Sequence, residues 1–287
     1  FLENAHHSFM EVNPVLIKEY KKSTTLRRTK TDSVDCESIA RWLITVEYKP
    51  HSKGFYHAYS LKSLTRLRDR LIRQRSFYLV KITNVLDHTF PEFKPFFNER
   101  LSKTALYLLE NYGSAEKMAR MNSASYDKLR CISRGKFSIQ QFLRLKELAA
   151  NTVGVNNSIF DLELNTLLTL YKSLSDEINT LETEIIKLIE EVHPHYMSIP
   201  GIGPISAAVI YAEYGDISNF SNPGQMLAFA GIEPGINDSG TESHGGRMVK
   251  HGSSQLRYVL LNACLPLIRF DLTFATYYEK KRAEGKK

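Results

Sequence analysis

The strongest pattern in the chain is a regular spacing of apolar residues near its middle. Leu164, Leu167, Tyr171, Leu174, Ile178, Leu181, Ile185, Leu188 and Val192 alternate at three and four positions. Held over about four heptads, that spacing predicts a coiled-coil seam. Asp176, Glu177, Glu182, Glu184, Lys187, Glu190 and Glu191 fill the positions between, and Pro194 ends the helix. Such a stripe needs a partner, either an antiparallel helix of the same chain or a second copy. The second copy is favoured, because no equally clean heptad adjoins it. A looser stripe of Leu64, Leu67, Leu71, Tyr78, Ile82 and Val85 predicts a long helix from Leu61 to Asp87. Its other faces carry Lys62, Arg66, Arg68, Arg70, Arg73, Arg75 and Lys81 against Asp69 alone before the closing Asp87. Such a face is either solvated or laid along a phosphate backbone.

Elsewhere the pattern is weaker. Residues 1–14 read as a strand segment, with Phe9, Met10 and Val12 before Asn13-Pro14. Residues 15–30 are basic and polar. A helix begins at Thr31, with Ile39, Ala40 and Leu43 on its apolar side, and residues 48–58 read as a loop. Residues 88–160 break into several shorter helices around Pro91, Pro95, Gly113, Gly135 and Gly154. They carry no chemical motif and read as an insertion. Residues 235–247 form a polar, glycine-rich loop before an apolar helix with Leu256, Val259, Leu260 and Ala263.

Composition narrows the class. The chain has 287 residues, 43% of them hydrophobic, and a net charge of +7. That suits about two folded domains, hints at a polyanionic partner, and contains no apolar run of membrane-spanning length. Cys36, Cys131 and Cys264 are scattered and match no metal spacing, which favours a reducing cytoplasm. The opening Phe1-Leu2-Glu3-Asn4 looks like the inside of a domain, so truncation at the N-terminus is expected.

Chemistry concentrates in two places. Ser198-Ile199-Pro200-Gly201-Ile202-Gly203-Pro204 precedes an apolar helix and reads as helix, tight hairpin, helix. Gly201 and Gly203 would let backbone approach a phosphate there. The alternative is an ordinary glycine-containing connection. Further on, Ser239-Gly240 is sterically open, and Arg247, Lys250 and Arg257 follow it. These cations could hold a phosphodiester and stabilise its transition state. Near the other end, Asp32 and Asp35 sit three apart, so one helix face can carry both carboxylates. They either hold a hard cation such as Mg²⁺ or cap and polarise the helix.

The order of these pieces resembles the IS110 family of insertion-sequence transposases. The C-terminal likeness runs through Pro200-Gly201-Ile202-Gly203, Gly215-Asp216-Ile217, Phe220, Ala230-Gly231, Pro234, Ser239-Gly240, Arg247, Lys250, Gly252 and Leu256-Arg257. Near the start, Val12-Asn13-Pro14 and Arg28-Thr29-Lys30-Thr31-Asp32-Ser33-Val34-Asp35 resemble the close of that family's N-terminal domain. The resemblance implies a RuvC-like (RNase H-like) domain with an Asp-Glu-Asp-Asp metal site, whose last two carboxylates match Asp32 and Asp35. The first two would precede Phe1. It also implies that Ser239 attacks DNA and forms a covalent link, with Thr241 and Ser243 as nearby alternatives, and that a structured RNA guides the reaction.

The resulting expectation is a mainly α chain. Residues 1–60 would be the end of an α/β RuvC-like domain, 61–193 a helical and coiled-coil middle, and 194–287 a mostly helical serine domain with a helix-hairpin-helix element. Its function would be DNA breakage and rejoining with Mg²⁺, in the cytoplasm, as a dimer or tetramer binding DNA and a guide RNA. Arg66, Arg70 and Arg73 would add nucleic-acid contacts. A catalytically dead nucleic-acid-binding remnant and a structural coiled-coil protein are the alternatives.

Overall fold

The computed structural model describes residues 7, 9, 10, 12, 14–24, 31–48, 55–98, 101–215, 217, 220–239 and 242–285, with backbone alone at 15, 55–58, 236–239 and 242–247. The chain is mainly α: among the described residues there are thirteen α-helices and one two-stranded sheet. It divides into two compact units, one of residues 1–60 and 210–257, the other of residues 61–209 and 258–287.

The second unit is built on two long helices, α3 (Phe55–Thr89) and α9 (Ser158–Val192), each of 35 residues. They run antiparallel. At one end Val155 N donates to His88 O, and the His88 and Phe160 rings stack at 6.0 Å. Some twenty residues away, the Arg68 guanidinium pairs with the Glu182 carboxylate at 2.5 Å. Counting in opposite directions from that pair sets Leu61 against Ile189, Thr65 against Ile185, Leu86 against Leu164 and Ile82 against Leu168. All eight of these side chains are buried.

The apolar stripe of α9 is therefore largely covered within the chain. Leu164, Ile178 and Ile185 of the expected seam are buried, and so are Leu168 and Ile189 one position beside it. Val192, expected in the seam, is exposed. The partner stripe on α3 is not continuous in hydrophobicity. Its buried and half-buried positions include Leu61, Thr65, Arg68, Ile72, Arg75, Leu79, Ile82 and Leu86, a heptad spacing interrupted by Thr65, Arg68 and Arg75. Helix α3 also begins at Phe55, inside the stretch expected to be a loop; the turn signals of that stretch end at Gly54, and nothing after it opposes helix.

Between the long helices the chain folds a helical cap. It comprises α4 (Phe93–Phe96), α5 (Lys103–Tyr112), α6 (Ala115–Ala119), α7 (Ser123–Ile132) and α8 (Ile139–Ala150). Each of α5 to α8 opens on a side-chain cap, from Ser102, Ser114, Asn122 and Ser138, which satisfies amide donors left free in the first turn. The caps orient an apolar core of Phe90, Phe93, Leu108, Leu109, Met118, Leu129, Phe142 and Leu145. Glu92 fastens this cap, accepting from Thr152 Oγ1 at 2.6 Å and Val153 N at 3.1 Å. Burial pushes its carboxyl up, but these bonds and its own backbone outweigh that and hold it below its ordinary value.

In the first unit, α1 (Pro14–Thr24) packs on α2 (Asp32–Thr45). The strand expected over residues 1–14 is not found at Phe9, Met10 or Val12, and Pro14 already starts a helix. A strand needs a ladder partner, and the sheet among the described residues pairs only β1 (Pro234–Ser239) with β2 (Glu242–Met248). That sheet replaces the loop expected at 235–247. No single helix among the described residues is long and apolar enough to cross a membrane.

Two substitutions test the helix pair. Ile185→Ala removes a fully buried side chain, and urea unfolding should show a loss of about 2–5 kcal/mol. Arg68→Met alone leaves Glu182 partly buried without its partner and should destabilise by about 1–3 kcal/mol. Adding Glu182→Leu should recover most of that loss, because an apolar pair in a helix seam replaces a desolvated ion pair at little net cost.

Candidate functional site

The residues that carry chemistry in the sequence fall in both units. Asp32, Asp35, Ser239, Arg247, Lys250 and Arg257 belong to the first. Gly201, Gly203, Arg66, Arg70 and Arg73 belong to the second.

Thr31 caps α2, its Oγ1 accepting from Val34 N at 3.3 Å. That places Asp32 at the first helical position, exposed, and Asp35 a turn later, half-buried. Asp35 is not free: the Lys21 ammonium of α1 lies 2.5 Å from its Oδ1. Among the described residues no group of three or more His, Cys, Asp or Glu side chains could hold a metal ion. As they stand, the two carboxylates do not fit a divalent site, and a lysine occupies the place where a cation would neutralise Asp35. Sequence reasoning missed Lys21, because its basic segment carries no spacing that ties it to Asp35.

Ser239 ends strand β1. It is in register with Glu242, while Ser243 is opposite Asp238. Gly240 and Thr241, which join the strands, lie outside the described residues, as do the side chains of Ser239, Ser243 and Arg247.

The base of this hairpin is closely built. Gly252 passes so near the preceding helix, α11 (Pro223–Ala230), that an added Cβ would lie 2.0 Å from Phe229 O. Gly231 is left-handed, and a Cβ there would lie 2.6 Å from Gly252 N. Val249 N donates to Glu233 O and Lys250 N to Gly231 O. Arg257, on α12 (Ser254–Phe270), directs its guanidinium into this junction, with Nη1 donating to Ala230 O at 3.0 Å and to Gly252 O at 3.5 Å. Arg257 thus clamps the loop ends that carry the hairpin. Lys250 is exposed, with φ of +57°, where a non-glycine residue is strained.

Helix α1 lies within electrostatic reach of the same junction. The Glu19 carboxyl is held below its ordinary value, first by a hydrogen bond from Lys22 and more weakly by the charges of Lys18 and His251. Tyr214, which ends α10 (Pro204–Tyr214), packs on Phe220 and Phe229 and donates to Met226 O at 3.1 Å; burial raises its phenol.

In the second unit, a 3₁₀ turn over His195–Ser198 leads to Gly201 and Gly203 ahead of α10. Gly201 is left-handed and faces α12, where a Cβ would lie 3.0 Å from both Ala263 O and Pro266 Cβ. Its missing side chain is therefore used in packing. Gly203 has open space where a Cβ would stand. On α3, Arg66, Arg70 and Arg73 share one exposed stripe, and Arg73 pairs with Asp69 at 2.9 Å.

Two family models match this chain. One, described as "Transposase IS116/IS110/IS902 family", covers residues 194–279; the other, DEDD_Tnp_IS110, described as "Transposase", covers residues 1–91. Between them they take in Asp32, Asp35, the hairpin of Ser239, and both clamping glycines. The chain belongs to the IS110 family of transposases. It is 28% identical, over 72% of its length and 52% of the relative's, to the insertion element IS110 uncharacterized 43.6 kDa protein of Streptomyces coelicolor. To the transposase for insertion sequence element IS1111A of Coxiella burnetii it is 25% identical, over 90% of this chain and 59% of that one. It is also 27% identical to the insertion element IS900 uncharacterized 42 kDa protein of Mycobacterium paratuberculosis, over 90% and 66%. The chain spans between about half and two thirds of the length of these relatives.

The clamp has a direct test. Gly252→Ala forces a methyl group into the Phe229 carbonyl and should cost about 3 kcal/mol or more, because backbone cannot yield as a side-chain end does. Thermal unfolding of the variant beside Gly203→Ala, where space is open, separates packing from a general intolerance of side chains.

Proposed function

We propose that this chain is part of a DNA strand-transfer enzyme of a mobile element, with Ser239 as its nucleophile. The Ser239 Oγ would attack a DNA phosphorus. A new serine–phosphate ester forms, one deoxyribose–phosphate ester breaks, and the freed deoxyribose oxygen leaves as a hydroxyl. The serine proton passes to a base. Because one phosphodiester is exchanged for another, the link can be rejoined without an outside energy source.

The observation that carries this reading is the hairpin. Its first strand ends at Ser239, its base is clamped by Arg257 and the two close-packed glycines, and Lys250 emerges exposed from the same junction. A serine hydroxyl is a poor nucleophile at neutral pH and needs a base and cations brought to its phosphate. Lys250, at the base about a strand length from Ser239 at the tip, and Arg247 are assigned to holding DNA along the hairpin; Arg257 is assigned to holding the loop. Asp32 and Asp35 share the compact unit of the hairpin although some two hundred residues separate them in sequence. They are the carboxylates this chain would bring to a Mg²⁺ site in a RuvC-like fold. Alone they do not close one, and no chemical step is routed through it.

The domain reading is a RuvC-like end (1–60), a helical middle (61–193) and a serine domain (194–287) whose Gly201–Gly203 turn resembles a helix-hairpin-helix. DNA and a structured guide RNA are the proposed partners, in a cytoplasmic dimer or tetramer. The ion pair of Asp35 with Lys21 favours a second reading, a nucleic-acid-binding remnant without chemistry.

A DNA substrate that traps covalent intermediates, run on a denaturing gel, separates the two. Ser239→Ala should abolish the shifted protein–DNA band without changing binding. A band lost instead in Ser243→Ala or Thr241→Ala moves the nucleophile along the hairpin. No band from the unmodified chain, with binding intact, supports the remnant. Binding is expected to weaken steeply with salt, by about 0.9 in logarithmic slope per phosphate neutralised on duplex DNA. Replacing Arg66, Arg70 and Arg73 with Gln should flatten that slope. In calorimetry, Mg²⁺ should bind only weakly, and Asp35→Ala should remove what binding there is.

A further inference from the structure

The cap of the second unit carries a cluster of cations that neither family model reaches, since the matches end at residue 91 and resume at 194. Lys128 and Arg130 lie near the end of α7, and Arg134 and Lys136 follow in the turn to α8. All four are exposed. Among the described residues, no carboxylate forms an ion pair with any of them, although Asp127 is a chain neighbour and Glu147 lies on α8.

Folding does not ask for these residues. Gly135 N donates to Arg130 O at 2.8 Å, Arg134 N to Cys131 O at 3.0 Å and Lys136 N to Ser133 O at 3.2 Å. These bonds hold the backbone of Arg130, Arg134 and Lys136 in one short turn. Arg134 also has a φ of +54°, beside Gly135 at +78°. The left-handed region costs a side-chain-bearing residue about 1–2 kcal/mol, so glycine or asparagine would serve the turn better.

The platform beneath is firm. Leu129 and Phe137 on either side are buried, Phe137 N donates to Ser133 Oγ at 3.0 Å, and a capping box between Ser138 and Gln141 fixes the start of α8. Two other cations of the cap are engaged in its own structure. Lys146 binds Met121 O, and Arg120 pairs with Glu116. None of the four cations of the turn lines a cavity of this unit bounded by residues such as Thr89, Glu116, Arg120 and Asp161. Exposed and spread over a turn, the four suit an extended polyanion better than a small anion.

We infer that the turn of Lys128, Arg130, Arg134 and Lys136 is a second docking surface for a nucleic-acid phosphate backbone, separate from the stripe on α3. This rests on the nucleic-acid reading above. The contacts would be charge-assisted and blind to sequence. They would extend the bound length of a strand and thereby position it.

The test compares three forms of the whole chain: unmodified, Lys128→Gln/Arg130→Gln/Arg134→Gln/Lys136→Gln, and Arg66→Gln/Arg70→Gln/Arg73→Gln. Fluorescence anisotropy with a duplex DNA and with a hairpin RNA, each over a range of salt, reads the number of phosphates neutralised. Circular dichroism confirms folding, and Arg134→Lys serves as the charge-preserving control. The fourfold variant should bind at least tenfold more weakly at low salt. Its slope should fall by about 0.9 for each phosphate left unneutralised on duplex DNA, or about 0.7 if single strand is held. Arg134→Lys should keep the slope. A fall on one probe only tells which nucleic acid the surface serves. An unchanged slope in the fourfold variant, with a lower slope in the α3 variant, overturns this surface and leaves the nucleic-acid reading standing. No binding by the unmodified chain overturns both.

Discussion

The second unit depends on a stripe that cannot face water. Helix α9 is 35 residues long and amphipathic throughout, so exposing its apolar side along that length would be prohibitive. The chain meets this demand with α3, running antiparallel, and one ion pair sets the register. Arg68 and Glu182 occupy seam positions with only a quarter to a third of their side chains exposed. A shift of one heptad would leave a charge buried opposite an apolar side chain. Polar groups at seam positions commonly trade stability for a single register in this way. The cap then closes the far end, held by Glu92 and by the hydrogen bond from Val155 to His88.

The first unit is organised by close backbone approach instead of apolar area. Gly231 and Gly252 let the segments before and after the β hairpin touch, and Arg257 binds both through their carbonyls. A hairpin of two strands is marginal alone. Clamped at its base, it gains a fixed exit for Lys250 and a defined end at Ser239. The strained backbone of Lys250 lies at this base, the opposite end of the hairpin from Ser239.

Charge is distributed unequally along the same scaffold. Helix α3 is basic and α9 acidic. Part of that difference is neutralised between them at Arg68 and Glu182 and part within α3 at Arg73 and Asp69, while Arg66 and Arg70 are exposed. The cap adds a further cationic turn at some distance in sequence. Exposed basic surfaces of this kind are where a modest net charge, here +7, attracts a polyanion.

Long-range periodicity and turn chemistry were legible without coordinates. Although the cap expected at Asp32 falls at Thr31, the helix containing Leu164 to Val192, the long basic helix before it and the short helices between follow from local spacing. So does the set of groups able to do phosphoryl chemistry, since hydroxyl, carboxylate and guanidinium are visible as residue types. What only the tertiary structure decided was pairing. The partner of the α9 stripe was hidden because Thr65, Arg68 and Arg75 interrupt the heptads of α3, and an apolar pattern cannot register a polar seam. Strands β1 and β2 were read as loop because their Gly, Ser, Asn and Asp residues lack β-propensity, while the ladder depends on ends held by contacts distant in sequence. Lys21 beside Asp35 and Arg257 on two carbonyls were likewise beyond reach. A charge shows its sign in the sequence, but its partner is set by where the backbone brings it.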